Sequence, residues 1–391
     1  MISLEEAQAR LLSNIVALPI ETCPLLDANG RWAAANVSAV RTQPARNLSA
    51  MDGYAIAHVS FPGPWQVCGE SAAGSPWNGA CDSKKAVRIF TGAIIPDEYD
   101  CVIIQEDIRK TEDIISLSGA AAPKCGQHIR RAGSDFNAGT ILIKSGDRMT
   151  AARIALAAMG GHGQVSVRRR VRVALLSTGN ELVKPGEPVA DHQIPSSNAP
   201  MLEAMLADLP ADVVDLGIIA DDVDAIAHAI RSADVDIIVT IGGASVGDHD
   251  LVKPALDACG ATLDFWKVAM RPGKPVMAGK VGKTLVLGIP GNPVSAFVTS
   301  LLFLRPAICT FGGATNPLPA RVTAILDGTL PSTGPRTDHI RGYVQNGHVK
   351  AIGMDDSAIL VGLAQSNALI VRPGNSAPVK SGDTVEIIVH A

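Results

Sequence analysis

Cysteine pairs are missing from this sequence. Its seven cysteines, at 23, 68, 81, 101, 125, 259 and 309, are odd in number, scattered and never spaced as C-x-x-C. That argues against a disulfide framework and a structural zinc site, and it fits a reducing compartment. Aromatic residues make up only 4% and the net charge is a mild −4, so the chain lacks the stacking platforms and the electrostatic bias of a nucleic-acid binder. The opening MISLEEAQARLL carries acids where a secretory leader needs bases. The most apolar run, Val294 to Ile308, is interrupted by Ser295, Thr299, Ser300, Arg305 and Pro306, which reads as a buried helix and not as a membrane span. A cytoplasmic protein with no membrane partner is expected. The G-x-G-x-x-G and Walker fingerprints are absent, which disfavours dinucleotide dehydrogenases and P-loop NTPases. Ser177 and Ser245 lack the G-x-S-x-G elbow and His249 has no evident third partner, so a Ser–His hydrolase is a weak reading.

What is present is 47% hydrophobic residue in 391 positions, enough for two to four domains with real cores. The period of the apolar residues changes along the chain. Ser3 and Glu6 have capping-box spacing ahead of Leu4, Leu11, Leu12 and Ile15, which predicts an amphipathic helix running to about Leu18. A short strand, a Gly30 turn and an alanine-rich helical piece are expected over 20–40. Residues 41–140 are rich in proline, glycine and short apolar runs, the texture of a small β-rich domain. The stretch 141–168, a strand, a Gly146 turn and a helix stopped by Gly160 and Gly161, resumes what 20–40 began, so one linking domain is expected to comprise 20–40 and 141–168. Strands are predicted at 171–177, 213–219, 235–241, 263–269 and 284–290, with helices between most of them. This alternation predicts an α/β domain of 1–19 and 169–312, built on a doubly wound parallel sheet covered on both faces. The remainder, 313–391, returns to short strands and glycine–proline turns as a C-terminal β-domain.

In such sheets ligands bind outside the carboxyl ends of the strands. The polar residues fall there: Glu181 after the first strand, Asp221 after the second, GGASVGDHD (242–250) after the third, Lys267, Arg271 and Lys274 after the fourth, and PGNPVS (290–295) after the fifth. Gly242, Gly243 and Gly247 with Ser245 offer amides and a hydroxyl suited to an oxyanion. Acids beside an anion site coexist with it when a cation lies between, and Mg²⁺ is the usual one beside phosphate. The same turn also reads as a plain strand-to-helix connection with Asp248 or Asp250 as the helix N-cap. Spacing alone leads to a Mg²⁺-dependent enzyme acting on a phosphate or adenylate.

Six motifs in order, SAMDGYA (49–55), TGA-xx-P (91–96), STGNEL (177–182), GGASVGDHD (242–250), FWKVAMRPGKP (265–275) and GIPGNPVSA (288–296), resemble the molybdopterin molybdenumtransferase family, the insertases related to the E domain of gephyrin. The resemblance covers nearly the whole chain. It implies a multidomain α/β protein with a central molybdopterin-binding sheet domain, a β-rich inserted domain, a small linking domain and a C-terminal β-domain, assembled as a homodimer with a shared cleft. It implies insertion of molybdate into adenylylated molybdopterin with Mg²⁺ and release of AMP, and a possible molybdopterin adenylyltransferase partner. Carried over by motif, Asp52, Thr91, Arg130, Asp135, Glu181, Asp250, Lys267 and Arg271 take catalytic positions, and Asp221 and Asp250 are metal ligands. Gly242, Gly243, Ser245, Gly247, Lys274, Pro290, Asn292, Pro293, Ser295, Arg341 and Ser357 bind the pterin substrate or molybdate. Asn180 stands where many members have Asp, and Arg271 where Lys is common. A non-catalytic scaffold of the same fold and a molybdopterin adenylyltransferase are the rival expectations, and the sequence does not separate molybdate from tungstate.

Overall fold

The computed structural model describes residues 1–80, 82–119, 121–243, 251–353 and 356–390, apart from the Trp266 side chain. Its centre is a six-stranded sheet in the order Ala211–Ile219, Val171–Thr178, Ile237–Ile241, Thr284–Ile289, Met277–Val281, Thr262–Trp266. The first four strands are parallel and the last two pair antiparallel to their neighbours, so the sheet is mixed and not wholly parallel. Met277–Val281 is the strand absent from the sequence expectation. It forms a hairpin with Thr284–Ile289 through Gly282 and turns Thr262–Trp266 back into the direction of the parallel set.

Strand alternation divides the core in two. Val173, Leu175, Ile237, Val239, Leu285 and Leu287 face one cluster, whereas Ala174, Leu176, Ile238 and Val286 face the other. Helices Val223–Ser232 and Val252–Ala258 cover the second face, and helices Leu4–Ser13, Asn198–Leu206 and the long Pro293–Phe311 cover the first. Burying each such Val, Leu or Ile stabilises the fold by roughly 2 kcal/mol. The amino-terminal helix has Ser3 at its N-cap, accepting from the Glu6 amide at 3.0 Å, and it ends at Ser13, short of Leu18.

Pro293–Phe311 is one helix among the described residues long and apolar enough to cross a membrane, and 78% of its apolar window is buried inside the protein. It widens to a π-turn over Ser300–Leu304 ahead of Pro306. A proline has no amide to give to the carbonyl four residues back. That carbonyl, on Leu302, is taken instead by the buried Gln8 side chain at 2.9 Å, which ties the first helix to the last.

Either side of the insertion, Ile20–Pro24 pairs with Gln164–Arg168 and Val37–Ser38 with Ile141–Ile143, and both stretches feed one cluster around Val37, Ile143, Met149 and Val167. The alanine-rich helix expected within 20–40 is not formed. Trp32 and Ala33 bridge to Arg148 and Val167, because strand partners from the far segment outweigh a weak helical propensity. The inserted part holds its own six-stranded sheet, Cys101–Ile104, Gly53–Ile56, Lys85–Ile89, Trp65–Ser71, Ile114–Leu117 and Ile108–Thr111 in that order.

In the tail, Thr337–Gln345, His348–Ala351, Val322–Asp327, Thr384–Val389 and Ala368–Arg372 pair in sequence and close, last strand to first, into a five-stranded barrel. Ala368, Ile370 and Ile387 fill it, while Leu369, Val371 and Ile388 point outward into the core of the central domain. A sixth strand comes from that domain: Met270–Arg271, expected in the loop after the fourth sheet strand, pairs with Thr337 and Asp338. The barrel therefore grips the loop that carries Arg271 and Lys274.

Candidate active site

The chain order of the central strands places a topological switch between Val171–Thr178 and Ile237–Ile241, whose connections run to opposite faces. A cleft of about 700 Å³ opens there, at the carboxyl ends of the strands. Glu181, Asp221, Gly242, Gly243, Pro290, Asn292 and Pro293 line it together, with Pro275 from the fourth loop and Ala358 from the tail. The floor has to be glycine. Gly242 (φ 92°) and Gly243 (φ 61°) lie in the left-handed region, and a Cβ on them would sit 2.8 Å from the Thr178 carbonyl and 2.5 Å from Val252. Helix Val252–Ala258 has Leu251 at its N-cap with no side-chain capping bond, so a capping aspartate does not begin it. Ser245, Gly247, Asp248, His249 and Asp250 lie outside the described residues.

Two loops of the cleft are clasped reciprocally. Asp221 Oδ2 accepts the Asn180 amide at 3.1 Å, and Asn180 Oδ1 accepts the Asp221 amide at 3.3 Å. The Glu181 carboxylate folds back over Gly179, so close that a Cβ there would lie 2.6 Å from Oε2. Both acids are exposed to the cleft. Sequence reasoning missed Asn198, which opens its helix beside Ser196 and Ser197 and donates from Nδ2 to the Gly291 carbonyl at 2.6 Å. The polar triplet ahead of an apolar helix was the available signal. Ser177 and Thr178 also line the cleft, below the glycines.

The expected bases are not among the described residues that line the cleft, to which their loop contributes Pro275. Lys267 follows its strand in a strained conformation (φ 91°), and Arg271 and Lys274 are exposed. Among the described residues none of the three forms an ion pair. Gly273 between them is obligatory, since a Cβ would meet Thr299 at 2.5 Å. Asn292 Nδ2 donates to Ser357 Oγ at 3.0 Å, which joins the tail to the PGNP turn. Two of the expected anion contacts are buried in this chain. Ser295 is buried within its helix at 5% exposure. Arg341, also 5% exposed, spends its guanidinium on the carbonyls of Ile359 (2.9 Å) and Asp356 (3.2 Å). It holds the loop that presents Ser357.

The inserted part builds a second group. Asp52 Oδ1 accepts both the amide (2.7 Å) and the hydroxyl (2.8 Å) of Thr91. Those donors, with the field of Arg88 behind them, hold the Asp52 carboxyl below the usual carboxylate range. Arg130 stands exposed on Ile129–Arg130, which pairs with Leu48–Ser49, and the Ala50 amide bonds His128 beside it at 2.8 Å. Asp135, exposed, bonds through its amide to Gln43 at 3.1 Å. Gly53 lets the Asp52 turn close: a Cβ would lie 1.9 Å from the Ile103 carbonyl oxygen. Backbone cannot yield that distance, so Gly53→Ala is expected to cost roughly 3 kcal/mol in urea denaturation; an unchanged midpoint would contradict it. Among the described residues, none of 41–140 lines the central cleft with Glu181 and Asp221.

The comparisons with known proteins agree along the chain. Residues 2–161 match the family profile described as the MoeA N-terminal region (domain I and II). Residues 174–310 match a probable molybdopterin binding domain and 323–390 the MoeA C-terminal region (domain IV). The molybdopterin molybdenumtransferase of Haemophilus influenzae is 34% identical over 399 residues, covering 99% of this chain and 98% of that protein. That of Bacillus subtilis is 32% identical over 386 residues, 94% and 89% of the two chains. The crystal structure of a molybdopterin biosynthesis moeA protein from Pyrococcus horikoshii superposes with a TM-score of 0.86 at 28% identity over 100% of both chains. Motif order, domain order and full-length identity coincide, and the chain belongs to the molybdopterin molybdenumtransferase family.

Proposed function

We propose that this enzyme inserts molybdate into adenylylated molybdopterin, giving molybdenum cofactor and AMP. The observation that carries the reading is the pair of carboxylates, Glu181 and Asp221, facing one glycine-floored cleft at the switch point of the sheet. Among the described residues no group of three His, Cys, Asp or Glu is placed around a metal. The donor set nevertheless fits Mg²⁺, which prefers carboxylate oxygens and keeps several waters and substrate phosphates in its shell. Asp221 uses Oδ2 for the Asn180 amide and keeps Oδ1 without a partner among the described residues. Glu181 and Asp221 would hold the ion, with Asp250 as the expected third acid; bound there, Mg²⁺ would neutralise the phosphates and polarise the P–O bond to be broken.

The remaining roles follow from charge. Gly242 and Gly243 bring backbone close to the phosphates. Lys267, Arg271 and Lys274 would supply the positive field for molybdate, a tetrahedral dianion, and Ser357 offers a hydroxyl. Arg341 acts by holding the Ser357 loop. Among the described residues none from the inserted part lines the cleft, which supports a homodimer in which the Asp52, Thr91, Arg130 and Asp135 group would come from the partner copy. We assign the reaction to the cytoplasm, a reading that the unpaired cysteines among the described residues support, and a molybdopterin adenylyltransferase would supply the substrate there.

The test is an AMP-release assay with purified protein, adenylylated molybdopterin, molybdate and Mg²⁺. Mg²⁺-dependent AMP release with active cofactor formed is expected. No AMP under these conditions overturns the proposal in favour of a scaffold, and formation of the adenylylated pterin from ATP overturns it in favour of an adenylyltransferase.

A further inference from the structure

We propose that Arg88 is the positioning residue of the inserted domain's Asp52–Thr91 pair, gripping the chain on both sides of it with one guanidinium. The inference rests on the functional reading above for the importance of that pair, and on separate geometry for the role of Arg88.

Asp52 and Thr91 sit on different turns, 39 residues apart, and meet through two hydrogen bonds to Oδ1. Two exposed groups on two turns need a rigid support to stay in register. Arg88 provides it from the end of Lys85–Ile89, where it lies opposite Tyr54 on the neighbouring strand. Its Nη1 donates to the carbonyl of Gly53, the residue after Asp52, at 3.1 Å. Its Nη2 donates to Gln105 Oε1 at 2.7 Å, and the Gln105 amide in turn bonds the Asp52 carbonyl at 3.1 Å. The guanidinium lies 5.1 Å from the Tyr54 ring centroid and 4.8 Å from that of Phe90, the residue before Thr91. Gly53 and Tyr54, which follow Asp52, and Phe90, which leads into Thr91, therefore touch this one side chain. With Gly53 pressed against Ile103 on its other side, the turn has no slack.

Charge adds a second function to the grip. A cation behind the carboxylate favours its ionised form, in the same sense as the Thr91 donors. Asp52 thus keeps Oδ2 as a fixed, charged oxygen without a partner among the described residues, suited to receive a cation or a donor from the substrate and not to deliver a proton at neutral pH. A lysine would keep the charge and lose the fork, because a point charge cannot reach Gly53 and Gln105 together while stacking on two rings.

The experiment compares full-length wild type, Arg88→Met and Arg88→Lys. Turnover is read by AMP release, and the Asp52 carboxyl is titrated by ¹³C NMR with the resonance assigned from Asp52→Asn. Removing a supporting partner typically costs about 10- to 100-fold. Arg88→Met is expected to lose that much in kcat and to raise the Asp52 titration midpoint. Arg88→Lys is expected to lose kcat while keeping the midpoint low, and it decides the matter if the methionine variant does not fold. Either variant folded, with wild-type kcat and wild-type Asp52 titration, overturns the proposal. If wild type releases no AMP, the functional reading fails, and the NMR titration alone still judges Arg88.

Discussion

Asp221→Asn is expected to lower AMP release roughly 10²- to 10³-fold, the usual cost of removing one preorganised electrostatic partner, with the thermal midpoint unchanged. The carboxylate is exposed and forms no salt bridge among the described residues, so its charge contributes little to stability. An amide oxygen can still accept the Asn180 N–H now bonded at 3.1 Å, so the clasp between the two loops survives the substitution. What disappears is one negative oxygen in the cleft that Asp221 shares with Glu181. The Mg²⁺ concentration for half-maximal rate should rise along with the fall in kcat, because the variant loses cation affinity and not substrate shape. Near-wild-type turnover at low Mg²⁺ would remove Asp221 from the metal role and leave Glu181 and Asp250 to carry it.

The central sheet was legible because its physics is local. Val171 to Leu176 is an apolar run broken only by Arg172, and such a run, ended by STGNE, marks a buried strand and its functional end. Five strand ends could therefore be read as one site, and Glu181, Asp221, Gly242, Gly243 and Asn292 do share a cleft. Met277–Val281 was not legible. MAGKV is short, carries Gly279 and Lys280, and becomes a strand only because a hairpin partner and Thr262–Trp266 flank it. The run 263–269 looked continuous by hydropathy, yet Lys267 turns it at positive φ and Met270–Arg271 crosses to a barrel strand more than sixty residues later in the chain. Arg341 shows the same limit for side chains. Its charge suggested an anion, and only the fold reveals that two backbone carbonyls already occupy it. Asp52 and Thr91 were named separately from their motifs, whereas the bond between them, and Arg88 beneath, follow from strand pairing.

Between pH 6.5 and 5 the protein is expected to lose stability through two histidines where the barrel meets the central domain. His339, 3% exposed, stands on Thr337–Gln345 opposite Val371, which belongs to the core shared with the sheet. Burial, then the Arg321 charge, push its pKa down to about 4; the backbone at Arg271 pulls weakly the other way without closing a hydrogen bond to either ring nitrogen. His390, with its ring edge-on to Phe297 at 4.9 Å, is likewise pushed down to about 4 by burial. In the unfolded chain both rings bind protons from the ordinary value of 6.5. The unfolded state thus takes up protons that the folded state refuses, so stability is full above pH 6.5, falls as pH drops toward 4, and loses nothing more from this source below that. For His339 the window corresponds to about 3 kcal/mol at most. Asp52, Asp208 and Asp236, whose carboxyls are held below an ordinary value of 3.8, act in the same sense but lower on the pH scale, which leaves the range above pH 5 to the imidazoles. Urea denaturation at half-unit steps from pH 7.5 to 5 should show a slope in wild type that is shallower in His339→Leu and shallower again in His339→Leu/His390→Leu. Parallel slopes in all three would mean that both rings accept protons in place, and that the junction between barrel and sheet is not the acid-sensitive seam of this fold.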